Sequence, residues 1–408
     1  MRNTLCTLGL AAAWLAPLPS WAQAPLALDQ AVQQALQHAP QRHPLLAAAA
    51  KEVQAQEAAV QQARGGLNPE ISVQQEGTRA DSRTTTVALA IPLEWAGKRS
   101  LRVQAAKRAV EVARADLAMR EAEVRARVTA SYFLAVVAQE RVQLAQASAE
   151  LAQQAASAAA KRVAAGKVSP VELNRARVDE ANAQLEVGEA QGAWRTAQQA
   201  LALAMGEGSA SFQSLAAPGP TRAAMPQRPA CPTLVATSDT FPAVARAQQV
   251  VTHREALAAM ARSQRLPDLT LTVGSKREAH GSAQPVLGMS VPLPLFDPQQ
   301  GRISEAMHRA EQARDELAAT RQQVLNDLQT ACTALDVAKA QVHLLETVVL
   351  PAARQAREDA STGFEAGKFS FLDVLDAQRA LLQARARYLN TLAAAHQAAA
   401  DIDRITGR

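Results

Sequence analysis

Between Lys98 and Ala165 the chain runs for 68 residues without a glycine or a proline. With neither residue to weaken or break it, this stretch predicts one unbroken helix. At 1.5 Å per residue that helix is a rod of roughly 100 Å, far beyond the span of a globular core. Val103, Ala106, Val110, Ala113, Leu117 and Val124 step along it by three and four, with one step missed at Arg120. This is the spacing of a coiled-coil seam, so the rod needs partner helices along its length. Composition agrees. Hydrophobic residues make up 48% of the chain but aromatic residues only 3%, and much of the apolar fraction is alanine. Alanine faces let helices approach closely and sheathe a hollow interior instead of filling a thick core. The net charge is only +5, with cations and acids interspersed, which excludes the concentrated basic footprint of a nucleic-acid binder.

The same order of features occurs twice, about 200 positions apart. Leu67-Asn68-Pro69-Glu70-Ile71 returns as Arg265-Leu266-Pro267-Asp268-Leu269, and Ala90-Ile91-Pro92-Leu93 as Ser290-Val291-Pro292-Leu293. Ala113 to Leu117 returns as Ala313 to Leu317, Ala165-Gly166-Lys167 as Ala366-Gly367-Lys368, and Gly206 as Gly407. The chain therefore divides into a first repeat at 23–206, a proline-rich linker at 207–240 and a second repeat at 241–408. Within each repeat, period-two alternation marks two strands. Ile71 and Val73, then Val87 to Leu93, carry it in the first. Leu269 to Val273, then Leu287 to Leu293, carry it in the second. Thr78–Arg83 and Lys276–Ala283 read as polar hairpin connections. The second repeat's helices are expected over Arg302–Leu350, with an interruption at Pro351, and over Lys368–Thr406.

The N-terminus reads as an export signal over residues 1–22: Arg2, an apolar run from Leu8 to Leu18, and small residues before a cut after Ala22. Its apolar run is too short to anchor in a membrane, and Cys6 lies too early for lipid modification. The mature chain keeps Cys231 and Cys332. Their spacing permits a disulfide without implying one, and two unpaired small residues are the plainer reading.

No mature segment reaches the 18 or more consecutive apolar residues of a membrane helix. A chain of this kind crosses a bilayer only as a closed β-barrel, because lipid cannot satisfy open strand edges. Four strands are too few to close one, so several copies must pool theirs. The competing reading is a soluble periplasmic helical adaptor or scaffold with two hairpins.

Catalytic signatures are absent. Gly363 to Phe369 lacks the spacing and the hydroxyl of a phosphate loop, and there is no nucleophile elbow, His-Glu-x-x-His or Cys-x-x-Cys. The chain is not expected to be an enzyme or to hold a cofactor. His38 and His43, which sit among Pro40 and Pro44, read as a solvated turn. Metal ligation by His38, His43 or His280 is the alternative, although tight binding would hinder a conduit. Trp95 with Lys98 and Arg99 suits a membrane-interface rim, or simple packing where a strand meets a helix. Asp373 and Asp376, three apart, share a helix face near its start. Ordinary solvated carboxylates favoured by the helix dipole are the other reading.

The opening Leu26-x-Leu28-Asp29-x-Ala31-Val32-x-x-Ala35-Leu36, the duplicated strand, hairpin and helix layout, and Phe364 to Arg379 resemble the TolC family of outer-membrane efflux channels. With Val291 to Asp297 and Gly301, they are most similar to its cobalt-zinc-cadmium branch. The resemblance implies a mainly helical chain with a minor β part, in which long coiled-coil helices form a periplasmic α-barrel. It implies a homotrimer whose copies each give four strands to one twelve-stranded barrel in the outer membrane. It also implies a periplasmic membrane-fusion adaptor and an inner-membrane resistance-nodulation-division pump as partners. The duct would carry heavy-metal cations or other toxic compounds. By the same resemblance Asp373 and Asp376 form an acidic constriction, with Phe364 and Phe369 as an apolar latch. Gly166, Val168, Ser169 and Pro170, with Gly367, Ser370 and Phe371, form tips that meet the adaptor.

Overall fold

The computed structural model describes residues 25–37, 43–216, 225–366 and 368–408. The export segment, His38 and Gly367 lie outside them. In chain order the elements are α1 (Leu28–Gln37), α2 (Pro44–Arg64), β1 (Glu70–Glu76), β2 (Thr84–Leu93), α3 (Lys98–Ala164) and α4 (Pro170–Ala204). They continue with α5 (Cys231–Val235), α6 (Pro242–Ser263), β3 (Leu269–Glu278), β4 (Gln284–Ser290), α7 (Gln300–Leu344), α8 (Leu350–Glu365) and α9 (Phe371–Thr406).

Helix α3 is the expected rod, 67 residues without a break. Its entry needs two left-handed residues, Ala96 at φ +53° and Gly97 at φ +73°, to turn the chain sharply out of β2. Alanines bury along its whole length, from Ala105 through Ala135 to Ala155 and Ala156. The matching rod in the second repeat does not stop at Pro351. One π-helical stretch, Leu345–Val349, joins α7 to α8. The extra residue per turn absorbs the hydrogen bond that proline cannot donate. Among the described residues, no helix is long and apolar enough to cross a membrane.

The four strands form one antiparallel sheet in the order β1-β2-β3-β4, so the repeats meet through the β2–β3 pair. Its two faces differ in kind. One cross-strand row is Ile71, Leu89, Val273 and Leu287; the adjacent row on the other face is Ser72, Ala88, Gly274 and Val286. A further row on that second face is Gln74, Thr86, Lys276 and Gln284. Among the described residues nothing covers the aliphatic face: Ile71 is 73% exposed and Leu287 78%. The second face is the tight one, since a Cβ on Gly274 would fall 2.5 Å from the Val87 carbonyl oxygen.

Two strand limits differ from the sequence reading. Lys276, Arg277 and Glu278 belong to β3 and not to a loop, because β2 supplies partners for them as far as Thr84. Val291 and Leu293 lie beyond the end of β4, whose pairing with β3 stops at Ser290 opposite Thr270.

Where the rods thicken, each repeat has its own apolar cluster. The first joins α1, α3 and the end of α4 through Leu26, Val128, Tyr132, Leu201 and Leu215. The second joins α5, α6, α7 and α9 through Leu234, Val244, Leu328, Cys332 and Ile402. Cys231 and Cys332 are disulfide-bonded with Cα atoms 6.1 Å apart, which corrects the plainer reading of two unpaired residues. His43 is also not a solvated turn. It is 4% exposed at the start of α2. His280 lies exposed in the β3–β4 connection, and no cluster of metal-ligating side chains occurs among the described residues.

Candidate functional site at the helix tips

Each repeat reverses direction once at the end remote from the sheet. In the first reversal, Lys167 N–H donates to the Arg162 carbonyl (2.9 Å) and Gly166 N–H to that of Val163 (2.9 Å), with Gly166 at φ +68°. This is a Schellman closure, and it requires the left-handed residue that glycine provides. Ser169 then caps α4 by accepting from Val171 N–H at 3.3 Å, with Pro170 in the first turn. The second reversal repeats the plan. Ala366 N–H donates to Thr362 O (3.0 Å) and Lys368 N–H to Gly363 O (2.8 Å).

Ser370 and Asp373 form a reciprocal capping box at the start of α9. One Asp373 carboxylate oxygen accepts from the Ser370 N–H and its hydroxyl, both at 2.8 Å. These bonds hold the Asp373 carboxyl below the usual carboxylate range. The helix therefore begins at Phe371 and not at Lys368. Phe369 packs closely against Gly363 of α8: a Cβ there would lie 2.1 Å from its ring. The glycine read in sequence as part of a failed phosphate loop is there to admit this ring.

Asp376 takes a different partner. Arg379 lies 3.7 Å from it and 2.9 Å from Asp179 of α4, so one guanidinium bridges the two helix pairs. Around this bridge a cleft of about 1470 Å³ opens between α3, α4 and α9. Arg162, Arg175, Asp179 and Glu186 line it together with Phe364, Phe369 and Leu382. The residues expected to act together thus do come to one end of the molecule, but Asp373 serves its own helix while Asp376 faces Arg379. Sequence reasoning passed over Asp179 and Arg379 as a pair. The repeat gave no signal for it, because beyond the tips the repeats align at a spacing of 201, as in Gly166 to Gly367, which sets Asp179 against Ala380 and Arg379 against Val178.

At the opposite end, Trp95 fills the strand-to-helix junction, its ring N–H donating to the Pro267 carbonyl, while Lys98 pairs with Asp268 at 2.7 Å. Both contacts tie the first repeat to the second just below the sheet.

This layout has known counterparts. The outer membrane efflux protein family matches residues 32–207 and 239–408, which together are most of the chain. The chain belongs to that family. It is 42% identical to the cobalt-zinc-cadmium resistance protein CzcC of Cupriavidus metallidurans over 425 aligned positions, covering all of both chains. A membrane protein from Pseudomonas aeruginosa has the same fold with a TM-score of 0.77 at 20% identity, over 93% of each chain. The open state of the Neisseria gonorrhoeae MtrE outer membrane channel gives a TM-score of 0.75 at 19% identity, over 93% of this chain and 88% of that one. The protein is accordingly an efflux channel component of the outer membrane with a helical periplasmic extension. It is a passive conduit and not an enzyme, and the adaptor or scaffold reading is set aside.

Proposed function

We propose that three copies assemble into one duct, the exit channel of a resistance-nodulation-division system that exports heavy-metal cations. The carrying observation is the sheet: one face is mainly aliphatic and exposed in the rows through Leu89 and Ile91, turning polar at Ser275, Thr85 and Arg277 toward the hairpin ends, and the other is mostly small and polar, the whole mounted on rods too long for a globular protein. That alternation is what a barrel wall between lipid and water demands. The metal cargo is supported by the full-length likeness to a cobalt-zinc-cadmium resistance protein. In this reading residues 207–240 connect the two repeats, and the pump, not the channel, performs the energised step.

The tips at Gly166–Pro170 and around Ser370 would meet the periplasmic adaptor, and Asp376 with Asp373 would ring the mouth. An acidic ring attracts the cations to be exported and is relieved by a bound cation when closed. Parting the helix pairs would first have to break the bridge from Arg379 to Asp179. The test is a strain lacking this gene, complemented with wild type or with Asp373→Ala plus Asp376→Ala. Wild type should restore growth in cobalt, zinc and cadmium. Purified wild-type channel in planar bilayers should prefer cations and be blocked by a trivalent cation, and the variant should lose both properties. No change in metal tolerance on deletion would overturn the cargo. Unchanged selectivity and block would overturn the ring.

A further inference from the structure

The two ends of the sheet treat their cations differently. At the rod end Lys98 pairs with Asp268 and Arg102 with Glu94. At the hairpin end, among the described residues, Arg79, Arg83, Lys276 and Arg277 pair with no carboxylate, although Glu76, Asp81 and Glu278 are close in sequence. The register separates the charges. Thr84 lies opposite Glu76 and Glu278, whereas Thr85 lies opposite Gln75 and Arg277. Successive residues of a strand point to opposite faces, so both glutamates are on the small, polar face with Lys276, and Arg277 is on the aliphatic one. Arg83 directly precedes β2, and the same alternation carried back one residue sets it on the face of Thr85. There it is the diagonal neighbour of Arg277, about 7–8 Å away and within reach of a long side chain. Both arginines are exposed. Two cations held side by side repel, and Asp81, in the turn, pairs with neither.

Arg277 also marks a height. On the aliphatic face the rows run from Leu93 with Leu269, through Leu89 with Val273 and Val87 with Ser275, to Thr85 with Arg277. From 269 to 277 is eight residues, roughly 27 Å along the strand and roughly 20 Å along a bilayer normal at the usual tilt. That approaches the apolar band of about 25 Å on an outer-membrane barrel. An arginine facing lipid is costly at the middle of such a band and tolerated at its margin, where lipid phosphates lie. The rods mark the periplasmic end, so this margin belongs to the outer leaflet. A soluble anion would meet only the two guanidiniums. A lipid meets both halves of the surface, its phosphate at the arginines and its acyl chains along the exposed Ile71, Val73 and Val87.

Resting on the barrel-wall reading above, we propose that Arg83 and Arg277 form a binding site for a phosphate-bearing lipid of the outer leaflet. A phosphate monoester of the headgroup accepts charge-assisted hydrogen bonds from both guanidiniums, whose planar forks suit it. The bound phosphate removes the repulsion between the two cations. Lys276 takes no part, since it lies with Thr86 on the other face.

Native mass spectrometry of the purified full-length trimer tests this. The probes are lipid A, the same lipid stripped of its phosphates, and inorganic phosphate. Wild type should hold lipid A about tenfold or more tightly than the stripped lipid, and Arg83→Gln plus Arg277→Gln should erase that preference. Lys276→Gln removes one charge from the other face and should bind as wild type does. Undiminished binding by the double variant, or no preference of wild type for the phosphorylated lipid, would overturn the site. Equal loss in Lys276→Gln would overturn the assignment to one face. Displacement of lipid A by an equimolar amount of inorganic phosphate would overturn the lipid as occupant. If the double variant gives no heat-sensitive trimers, Arg277→Gln alone is read in its place. Loss of the preference is read only in intact trimers, where the channel reading stands whatever the result. A wild-type chain that forms no trimer in outer membranes would overturn that reading and this site with it.

Discussion

The two thick belts midway along the rods meet one structural demand with different chemistry. At each belt a segment entering or leaving a repeat must be fastened across the long descending helix. In the first, Tyr132 of α3 reaches the carbonyl oxygens of Ala216 at 2.7 Å and Leu26 at 3.0 Å, sharing its one proton between them. Gln139 beside it pairs with both backbone groups of Leu215, at 2.8 and 3.1 Å. In the second, the position 200 residues on is Cys332, bonded covalently to Cys231. Arg228 adds an ion pair to Asp403 with one contact at 2.6 Å. Duplication thus preserved the place of the fastening and not its chemistry. A buried hydroxyl and a disulfide are interchangeable there because each removes the freedom of a strap that has little apolar surface of its own.

The comparison is broken most severely by removing the covalent half. Replacing Cys231 and Cys332 together by serine opens a bond between residues 101 apart in sequence, a loss of about 2–5 kcal/mol. Trypsin should then cut near Arg228 far faster than in wild type, while the segment around Leu215 stays protected. Equal loss of protection at both belts would show that they unfold as one unit.

Tyr132→Phe should cost less, about 1–2 kcal/mol, because it takes the hydroxyl donor from the Ala216 carbonyl, while the Leu26 carbonyl keeps the Ala216 N–H at 3.0 Å. Amide exchange at Leu26 and Ala216 should rise, with none at Cys231. The hydroxyl also sets a pH window. Burial, the larger cause, pushes Tyr132 to about 12, and burial followed by the nearby Glu346 carboxylate pushes Tyr388 to about 12. A raised value means the neutral form is favoured in the fold. The stability is whole below the ordinary tyrosine value of about 10 and is lost as pH climbs through about 12. Alkaline titration of the Tyr132→Phe variant should show a shallower decline than wild type, and an identical decline would count against the role given to this hydroxyl.

The tips sharpen the contrast on a smaller scale. Ser370→Ala breaks a reciprocal box and should lower local helix stability by about 1 kcal/mol, whereas Ser169→Ala removes one long bond and should cost less. Because the Asp373 carboxyl is held below its ordinary range, its share of the cap is present above that range. That share is lost only as pH falls through the lowered value. Exchange at the first turn of α9 should therefore stay slow at pH 5 and accelerate in stronger acid, and an Asp373→Asn variant should be fast at both.

The smallest stability change belongs to Arg379→Ala. Its pairs are half-exposed, so screening leaves less than about 1 kcal/mol. Spin labels at Ser169 and Ser370 should nonetheless report a broader distance distribution, and an unchanged one would remove Arg379 as the link between the helix pairs.

Much of this molecule was legible without coordinates. A helix of 67 residues follows from the absence of glycine and proline together with a seam of alanines, because helix formation is local. Strand alternation and the two Gly-centred tips are local signals too, as are the 200-residue repeat and the likeness in Phe364 to Arg379. What sequence left open involves residues far apart. Whether Cys231 meets Cys332 depends on how the linker lies across α7. Whether Asp376 faces a pore or an arginine depends on α4 being alongside α9. His43 looked solvated between prolines, and burial by distant elements reversed that.

The sequence by itself therefore determined the parts: rods, four strands, two reversals, their duplication, and a wall with one face for lipid. Only the tertiary structure decided which residues became partners: the disulfide, the bridge from Arg379 to Asp179, and the strand state of Ile91–Leu93 but not Val291–Leu293. The physical reason is range. Backbone preference and side-chain periodicity act over a few residues and are written in the chain. A hydrogen bond, an ion pair or a strand pairing exists only when a second segment arrives within a few ångströms, and that arrival is a property of the whole fold.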